Sequence, residues 1–366
     1  RPPRSTLFPY TTLFRSLAAE LDRIKDNKCK ELVVKKITSY TFSDQLELTP
    51  FANNTYEFCT KINNSVVNFG KTSPMDEFVK YLVDSTNGNN VYVLVSDFVI
   101  DKKGENVLPT LESKFSIIFN EARKKNLAVL IYRFTSDFTG EYMPALGLKQ
   151  QISNFIRPYY VWMIGSNKQL ALLANLLDES NVVKPENQVV LGTNNNKIIP
   201  EVLVLSNRFG TWRFEDSLFY NVESKRSKLR FTVGLDLSKL PIYYKNTDYL
   251  SKITKYNSNI IKIESVKYYH ADEFSNKLKG RESNLANKFT HFAEINITGE
   301  VEDKDMVEIY WNNELPEWVD KFSTDDDSKI TDDNLSKTFA IKYIIRGIHE
   351  SYRKCENFYT KYYLKN

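Results

Sequence analysis

Three short segments of this chain are almost continuously apolar, and they restrict its fold more than any other feature: residues 91–100, 127–134 and 159–165. A strand has this pattern when it is covered on both faces, because neither face then carries polar side chains. Helical periodicity alternates with these segments, at 73–83, 111–125 and 170–177. Strand and helix alternating at short intervals predict right-handed crossovers. We therefore predict an α/β fold with a mostly parallel open sheet and helices on both faces.

The chain has 366 residues, which is enough for two domains. Residues 135–157 contain Gly140, Pro144 and Gly147, and this composition predicts a loop-rich insertion. Beyond residue 181 the pattern changes to alternating strands such as 230–237, which predicts antiparallel sheet with one wet face. An amphipathic helix at 334–353 is expected to pack across that sheet. We predict a first domain at 17–180 and a β-rich α+β domain with a C-terminal helix at 181–366.

The first sixteen residues have an unusual origin. RPPRSTLFPYTTLFRS, residues 1–16, matches one reading frame of a widely used sequencing adapter. We interpret it as an assembly artefact and leave it out of the fold prediction. Residues 17–27 then have the spacing of the tail of a helix, and the natural N-terminal segment is expected to be missing.

Charge and composition restrict the classes of partner. The formal net charge is only +4, and acidic and basic residues are interspersed, so the sequence predicts neither a nucleic-acid partner nor a charged membrane surface. No apolar run approaches the length of a membrane span. The three cysteines are far apart and have no histidine clusters beside them. This usage fits a reducing compartment, and we predict a cytoplasmic location.

A hydroxyl and a carboxylate are expected at one edge of the predicted sheet. Thr72, with Ser73 as an alternative, lies in the turn before the helix at 73–83, and Asp97 ends the strand at 91–100. Open α/β sheets place their ligands where loops leave neighbouring strands. These two side chains therefore mark this edge as the candidate binding site.

The segments GKTSPM (70–75) and VLVSDF (93–98), in this order of elements, resemble a von Willebrand factor type A (vWA) domain, also described as Rossmann-like. The resemblance covers about residues 17–180 and implies a metal-ion-dependent adhesion site with Thr72 and Asp97 among its ligands. Such a site also needs an Asp-x-Ser-x-Ser run, which this sequence lacks and which is expected upstream of residue 17. Phe98 replaces the glycine that usually follows the aspartate. The implied site is therefore incomplete, with weak affinity for Mg²⁺.

The same residues also have an ordinary structural interpretation, which stays open. Asp97 can cap the following loop, and Thr72 or Ser73 can cap the helix near Pro74. Five acidic residues lack the glycine and the terminal glutamate of a calcium loop and are interpreted as a solvated turn: Asp325, Asp326, Asp327, Asp332 and Asp333. The histidines are interpreted as ordinary residues of separate elements: His270, His291 and His349.

These patterns favour a binding function over catalysis. No nucleophile elbow, phosphate loop or dinucleotide fingerprint occurs in the sequence, and we assign no catalytic residue. We predict a protein-binding module that coordinates a carboxylate of a protein partner through Mg²⁺. Two alternatives remain: a metal-dependent phosphoester hydrolase that uses Asp97, and a structural assembly subunit without a metal.

Overall fold

The chain contains two compact units, each built from two stretches of sequence. The computed structural model describes residues 11–26, 36–41, 49–63, 74–100, 107–146, 148–180, 184–192, 198–238, 240, 242–259, 261–302, 305–312, 314–352 and 358–365. The first unit takes the described residues up to 192 and those of 315–352. The second unit takes those of 198–314 and 358–365. Of residues 1–16, the first ten lie outside the described residues, and 11–16 begin the first helix.

The elements follow one another along the chain in three groups. Those before residue 192 are α1 (Thr11–Asp26), β1 (Ser39–Thr41), β2 (Thr49–Ala52), α2 (Thr55–Asn63), α3 (Met75–Ser85), β3 (Tyr92–Ser96), α4 (Val107–Lys124), β4 (Leu127–Tyr142), β5 (Gln150–Ser166), α5 (Asn167–Ser180) and β6 (Asn187–Leu191). The second group is β7 (Glu201–Leu203), β8 (Thr211–Glu215), β9 (Leu218–Glu223), β10 (Lys228–Leu235), α6 (Thr247–Ile253), β11 (Thr254–Ser258), β12 (Lys262–His270), α7 (Ala271–Phe274), β13 (His291–Thr298) and β14 (Asp305–Trp311). The last is α8 (Trp318–Lys321), β15 (Ser323–Thr324), α9 (Asp332–Leu335), β16 (Thr338–Phe339), α10 (Ile341–Tyr352) and β17 (Tyr359–Leu364).

The main sheet of the first unit is antiparallel, so the predicted mostly parallel sheet is wrong. Its strand order is β3-β5-β4-β6, and each neighbouring pair is antiparallel. β4 and β5 continue through most of 135–157, the predicted insertion, and pair from Leu127–Ser166 to Tyr142–Gln150. A hairpin connection reverses the chain direction, whereas a parallel pair needs a crossover. The apolar runs at 127–134 and 159–165 correctly indicated burial on both faces, whereas four of the five residues of β3, at the edge of the sheet, are only partly buried. Burial also carries no information about strand direction.

Helices cover both faces of this sheet. α3, α4 and α10 contribute to one core with alternate sheet residues such as Ile131 and Trp162, and α5 packs on β4 and β5. The sequence analysis expected the last long helix to pack across the second sheet system, but α10 packs on α4. Gly347 marks the close crossing, because a Cβ at this position would lie 2.2 Å from the carbonyl oxygen of Glu112.

The second unit consists of two sheets with a shared core. One sheet has the order β12-β13-β10-β7 and the other the order β11-β14-β17-β9-β8. All described pairs are antiparallel except β17 with β9. Side chains at alternate positions of β10, including Phe231 and Val233, enter the core as the predicted alternation requires. In the described part of the chain no helix is both long and apolar enough to cross a membrane.

Candidate functional site

Asp97 lies where the sequence analysis placed it, at the end of a strand, although this strand is at the edge of the sheet and only partly buried. It follows β3 directly, and its side chain is exposed. Its Oδ1 atom accepts a hydrogen bond of 3.4 Å from the N–H of Val99, and Ser96 Oγ accepts one of 3.1 Å from the N–H of Phe98. Asp97 therefore has the local contacts that the capping interpretation expects.

Phe98 gives this strand end an uncommon backbone conformation. Its φ angle is +52°, in the left-handed region that glycine adopts easily and a phenylalanine rarely. The side chain is fully buried and stacks on Trp162 with ring centres 4.3 Å apart. Burial of two large rings offsets the backbone strain, which is of order 1–3 kcal/mol at such a position. The turn after β3 is therefore fixed by packing.

The other predicted ligands lie beyond what the structure describes. Thr72 and Ser73 are outside the described residues, so their pairing with Asp97 around Mg²⁺ stays a prediction. Within the described ranges, no group of three or more His, Cys, Asp or Glu side chains has the geometry to hold a metal ion.

A group that the sequence analysis missed holds the far end of the β4–β5 hairpin. We call Tyr142, Arg157 and Asp327 the hairpin anchor; each is at most 8% exposed. The carboxylate of Asp327 accepts hydrogen bonds from two backbone N–H groups of the hairpin loop, at 2.7 Å from Ala145 and 3.0 Å from Leu146. It also accepts a bond of 3.3 Å from the hydroxyl of Tyr142. One buried carboxylate thus fixes the loop backbone at residues 145 and 146.

Arg157 completes the hairpin anchor by supplying positive charge beneath the loop. Its guanidinium carbon lies 4.1 Å from the ring centre of Tyr142, and Nη1 donates a 3.2 Å bond to the carbonyl oxygen of Leu335. Burial raises the pKa of Tyr142 to about 12; Arg157 opposes the rise, and the charges of Asp327 and Asp97 add to it. Tyr142 therefore remains a hydrogen-bond donor at neutral pH, and the exposed Asp97 is near enough for its charge to act on the anchor.

A second buried arginine ties the same C-terminal stretch to the sheet. The guanidinium carbon of Arg133 lies 3.6 Å from the ring centre of Phe322, and Nη1 donates to Glu186 at 2.6 Å. The hydroxyl of Tyr160 donates to Thr338 at 3.2 Å. Arg133 is buried, which strengthens its cation–π contact with Phe322, whereas Glu186 is 46% exposed and its bond to Arg133 is correspondingly weaker. These contacts hold residues 318–339 firmly against the sheet.

The anchored loop presents apolar side chains to solvent. We define the apolar tip as Met143, Leu146 and Leu148, which are 47%, 42% and 83% exposed. An ion pair of 2.5 Å between Lys149 and Glu141 lies beside it. Isolated exposed apolar residues are common, but three within six positions of one fixed loop form a local patch.

The interpretation of one acidic residue changes with these positions. Asp327 was predicted in a solvated turn, and this is wrong because it is 2% exposed and bonded to a loop 182 residues away. The neighbouring acidic residues are exposed as predicted: Asp325, Asp326, Asp332 and Asp333. No local spacing could reveal Asp327, because its partners are distant in sequence. The apolar residues of 150–157 are Ile152, Phe155 and Ile156, which do not alternate, so no period-2 pattern marked the strand that carries Arg157.

Two of the histidines are brought together although they belong to separate strands. His270 and His291 are direct partners in the pairing of β12 with β13, and their ring centres are 4.6 Å apart. Both ring nitrogens of His291 are already hydrogen-bonded, to Lys245 and to Thr290. A metal ion would have to break one of these bonds, so the pair as it stands does not have the arrangement of a metal site.

Comparison with protein-family models, curated proteins and solved structures finds no match. The vWA resemblance therefore depends on the two short segments quoted above. The parallel sheet that it implied is not the one that the first unit forms.

Proposed function

We propose that this protein is a protein-binding module and that the apolar tip is its binding surface. One observation carries the proposal: apolar side chains are exposed on a loop whose backbone is fixed by the buried carboxylate of Asp327. Exposure of leucine side chains to water is unfavourable. Their burial in a partner's surface is favourable by roughly 25 cal/mol for each Å² of apolar area removed from water.

Fixing the loop before binding supports this function on energetic grounds. Association costs free energy for each loop and side chain that becomes ordered, and a loop that is already ordered avoids part of that cost. Two backbone bonds to Asp327 and the packing of Tyr142 on Arg157 supply the order here. A few apolar side chains on such a loop can then contribute most of the binding energy.

The shape and charge of the apolar tip define the chemistry of the partner. A hairpin end is convex, so the complementary surface is a concave apolar cleft on another protein. Lys149 and Glu141 neutralise each other beside the tip, which favours a cleft without strong net charge. Binding of this kind requires no metal ion. Coordination of a partner carboxylate by Mg²⁺ at Asp97 is a separate proposal, and removal of the metal distinguishes the two.

The experiment uses a photo-crosslinking amino acid at position 148 in the full chain, expressed in cells of its source. Position 117 is the matched control, because Ile117 is 66% exposed on α4. We expect a crosslinked protein specific to position 148. The purified partner should then bind the wild type, and Leu148→Asp should weaken this binding by more than about tenfold, against less than about twofold for Ile117→Asp.

Two results would contradict the proposal. One is the same set of crosslinks from positions 148 and 117. The other is a partner whose affinity is unchanged by Leu148→Asp. A partner that is released by EDTA and is insensitive to Leu148→Asp would favour the metal site at Asp97 instead. Because Leu148 is 83% exposed, the variant should fold normally, and its thermal unfolding provides the check.

A further inference from the structure

The histidine contact in the second unit has a special geometry. The chain contains three histidines, and His270 and His291 meet directly across β12 and β13 with ring centres 4.6 Å apart. His291 is 2% exposed, whereas His270 is partly exposed. The third, His349, lies in α10 of the first unit, outside this contact.

The hydrogen bonds of His291 define its neutral form. Nε2 lies 2.7 Å from the carbonyl oxygen of Lys245 and must carry the hydrogen, because a carbonyl only accepts. Nδ1 lies 3.0 Å from Thr290 Oγ1 and therefore accepts from that hydroxyl in the neutral ring. The same hydroxyl oxygen accepts a 2.9 Å bond from the N–H of Leu237. The neutral ring is fully satisfied.

A second proton on His291 would reverse one of these bonds. Nδ1 would then donate, and the hydroxyl of Thr290 would turn its hydrogen to the carbonyl oxygen of Leu235, 3.3 Å away. Hydrogen-bond partners remain available, so the cost of charging is electrostatic. Removal from water is the largest cause and lowers the pKa of His291. The bond to the carbonyl oxygen of Lys245 opposes it and raises the pKa, the positive charges of His270 and Lys245 lower it again, and Glu273 of α7 raises it; the pKa is lowered on balance.

The carbonyl group that His291 binds belongs to a segment packed on the core of the second unit. Lys245 ends the helical turn Ile242–Lys245, and α6 follows at Thr247. Tyr244 is 3% exposed with its ring centre 5.8 Å from that of Trp311, and Leu250 is fully buried. The bond from His291 therefore connects β13 to residues 242–253.

We propose that His291, in contact with His270, forms an acid-sensitive latch that holds residues 242–253 in place near neutral pH and loosens them as the buried His291 becomes charged. This device belongs to the second unit and is independent of the apolar tip. In the unfolded or opened chain His291 has its ordinary affinity for a proton, and in the closed structure its affinity is lower. The latch is therefore fully stable above the ordinary pKa of histidine, about 6.5, and weakens as the pH falls below it.

The test measures hydrogen-exchange protection factors of the amides in 244–253 of the full chain between about pH 7.5 and about pH 5. In the wild type we expect protection to fall with pH by as much as about tenfold per unit, the limit for one proton. His291→Gln keeps an N–H for the carbonyl of Lys245 without titrating, so its profile should be flat. In His270→Gln, protection of these amides should be lost over a narrower pH range than in the wild type. His349→Gln should leave the wild-type profile unchanged.

A pH-independent wild-type profile in 244–253, or an unchanged slope in His291→Gln, would overturn the latch. If His291→Gln does not fold, NMR titration of the three wild-type imidazoles decides the question. A His291 resonance that titrates below the ordinary histidine range supports the latch. Titration at or above that range rejects it.

Discussion

Each unit contains a buried carboxylate that fixes a distant loop, and the two loops present different side chains to solvent. Asp327 of the first unit holds the hairpin loop through the N–H groups of Ala145 and Leu146. Glu282 of the second unit accepts bonds of 2.7 to 3.2 Å from the N–H groups of residues 204–206. Both carboxylates are at most 4% exposed.

The two loops differ in the number of hydrogen bonds that their own side chains make to the rest of the unit. Ser206 is fully buried, and its hydroxyl accepts the N–H of Lys279 at 2.8 Å, so this loop is bonded in both directions. Asn207 adds a further bond to the buried Glu294. The hairpin loop instead exposes the three side chains of the apolar tip. The same chemistry thus fixes both loops, but the loop of the second unit exposes one apolar side chain, Leu205 at 45%, where the hairpin loop exposes three.

The largest expected effect is on the loop at residues 204–206 of the second unit. Glu282→Gln replaces one acceptor oxygen by an amide that faces backbone N–H groups, and those buried donors lose their partner. We expect the free energy of unfolding of the second unit to fall by about 3–5 kcal/mol. Hydrogen exchange of the second-unit amides in urea measures it, with the exposed Glu264→Gln as control. A loss no greater than that of the control would show that Glu282 does not fix this loop.

A somewhat smaller loss of stability is expected for the hairpin loop. Asp327→Asn keeps one oxygen for two backbone N–H groups and the Tyr142 hydroxyl, so we expect a cost of about 2–3 kcal/mol in the first unit. Asp326→Asn is the matched control, because Asp326 is exposed in the same turn. Urea unfolding measures the cost, and binding of the partner should weaken as the loop loses its order. Equal stabilities of the two variants would contradict the role given to Asp327.

The smallest effect is expected at Asp97, an exposed carboxylate that accepts a hydrogen bond of 3.4 Å from the N–H of Val99. Asp97→Ala should change stability by less than about 0.5 kcal/mol. If Asp97 contributes to a weak magnesium site, calorimetric titration with Mg²⁺ should give less heat in the variant than in the wild type. Equal heats would remove Asp97 from any such site.

Local sequence patterns predicted the elements better than their arrangement. The apolar runs correctly indicated strands at β3, β4 and β5, and periodicity indicated α3, α4 and α5. Strand direction was missed because Gly140, Pro144 and Gly147 resemble a loop, while the strands continue to Tyr142 and resume at 150. The amphipathic pattern of α10 showed that one face is buried, but not that α4 covers it.

The candidate site was predictable only where it depends on neighbours in sequence. Asp97 at a strand end follows from a local pattern. The bonds of Asp327 connect residues 182 and 181 positions apart, and they depend on a hairpin that the sequence analysis did not predict. Within one acidic run, the sequence does not distinguish a solvated aspartate from a buried one. The difference depends on the surface that packs against the run.

The order in which the two units use the chain affects how the protein is made. The chain leaves the first unit after β6 and completes it with α8 to α10. The second unit is completed by β17, the third of the five strands in its sheet. Neither unit can close before its final segment has left the ribosome. The apolar surface that receives α10 is therefore exposed until residues 341–352 have been synthesised, and exposed apolar surface on a partly folded chain favours aggregation.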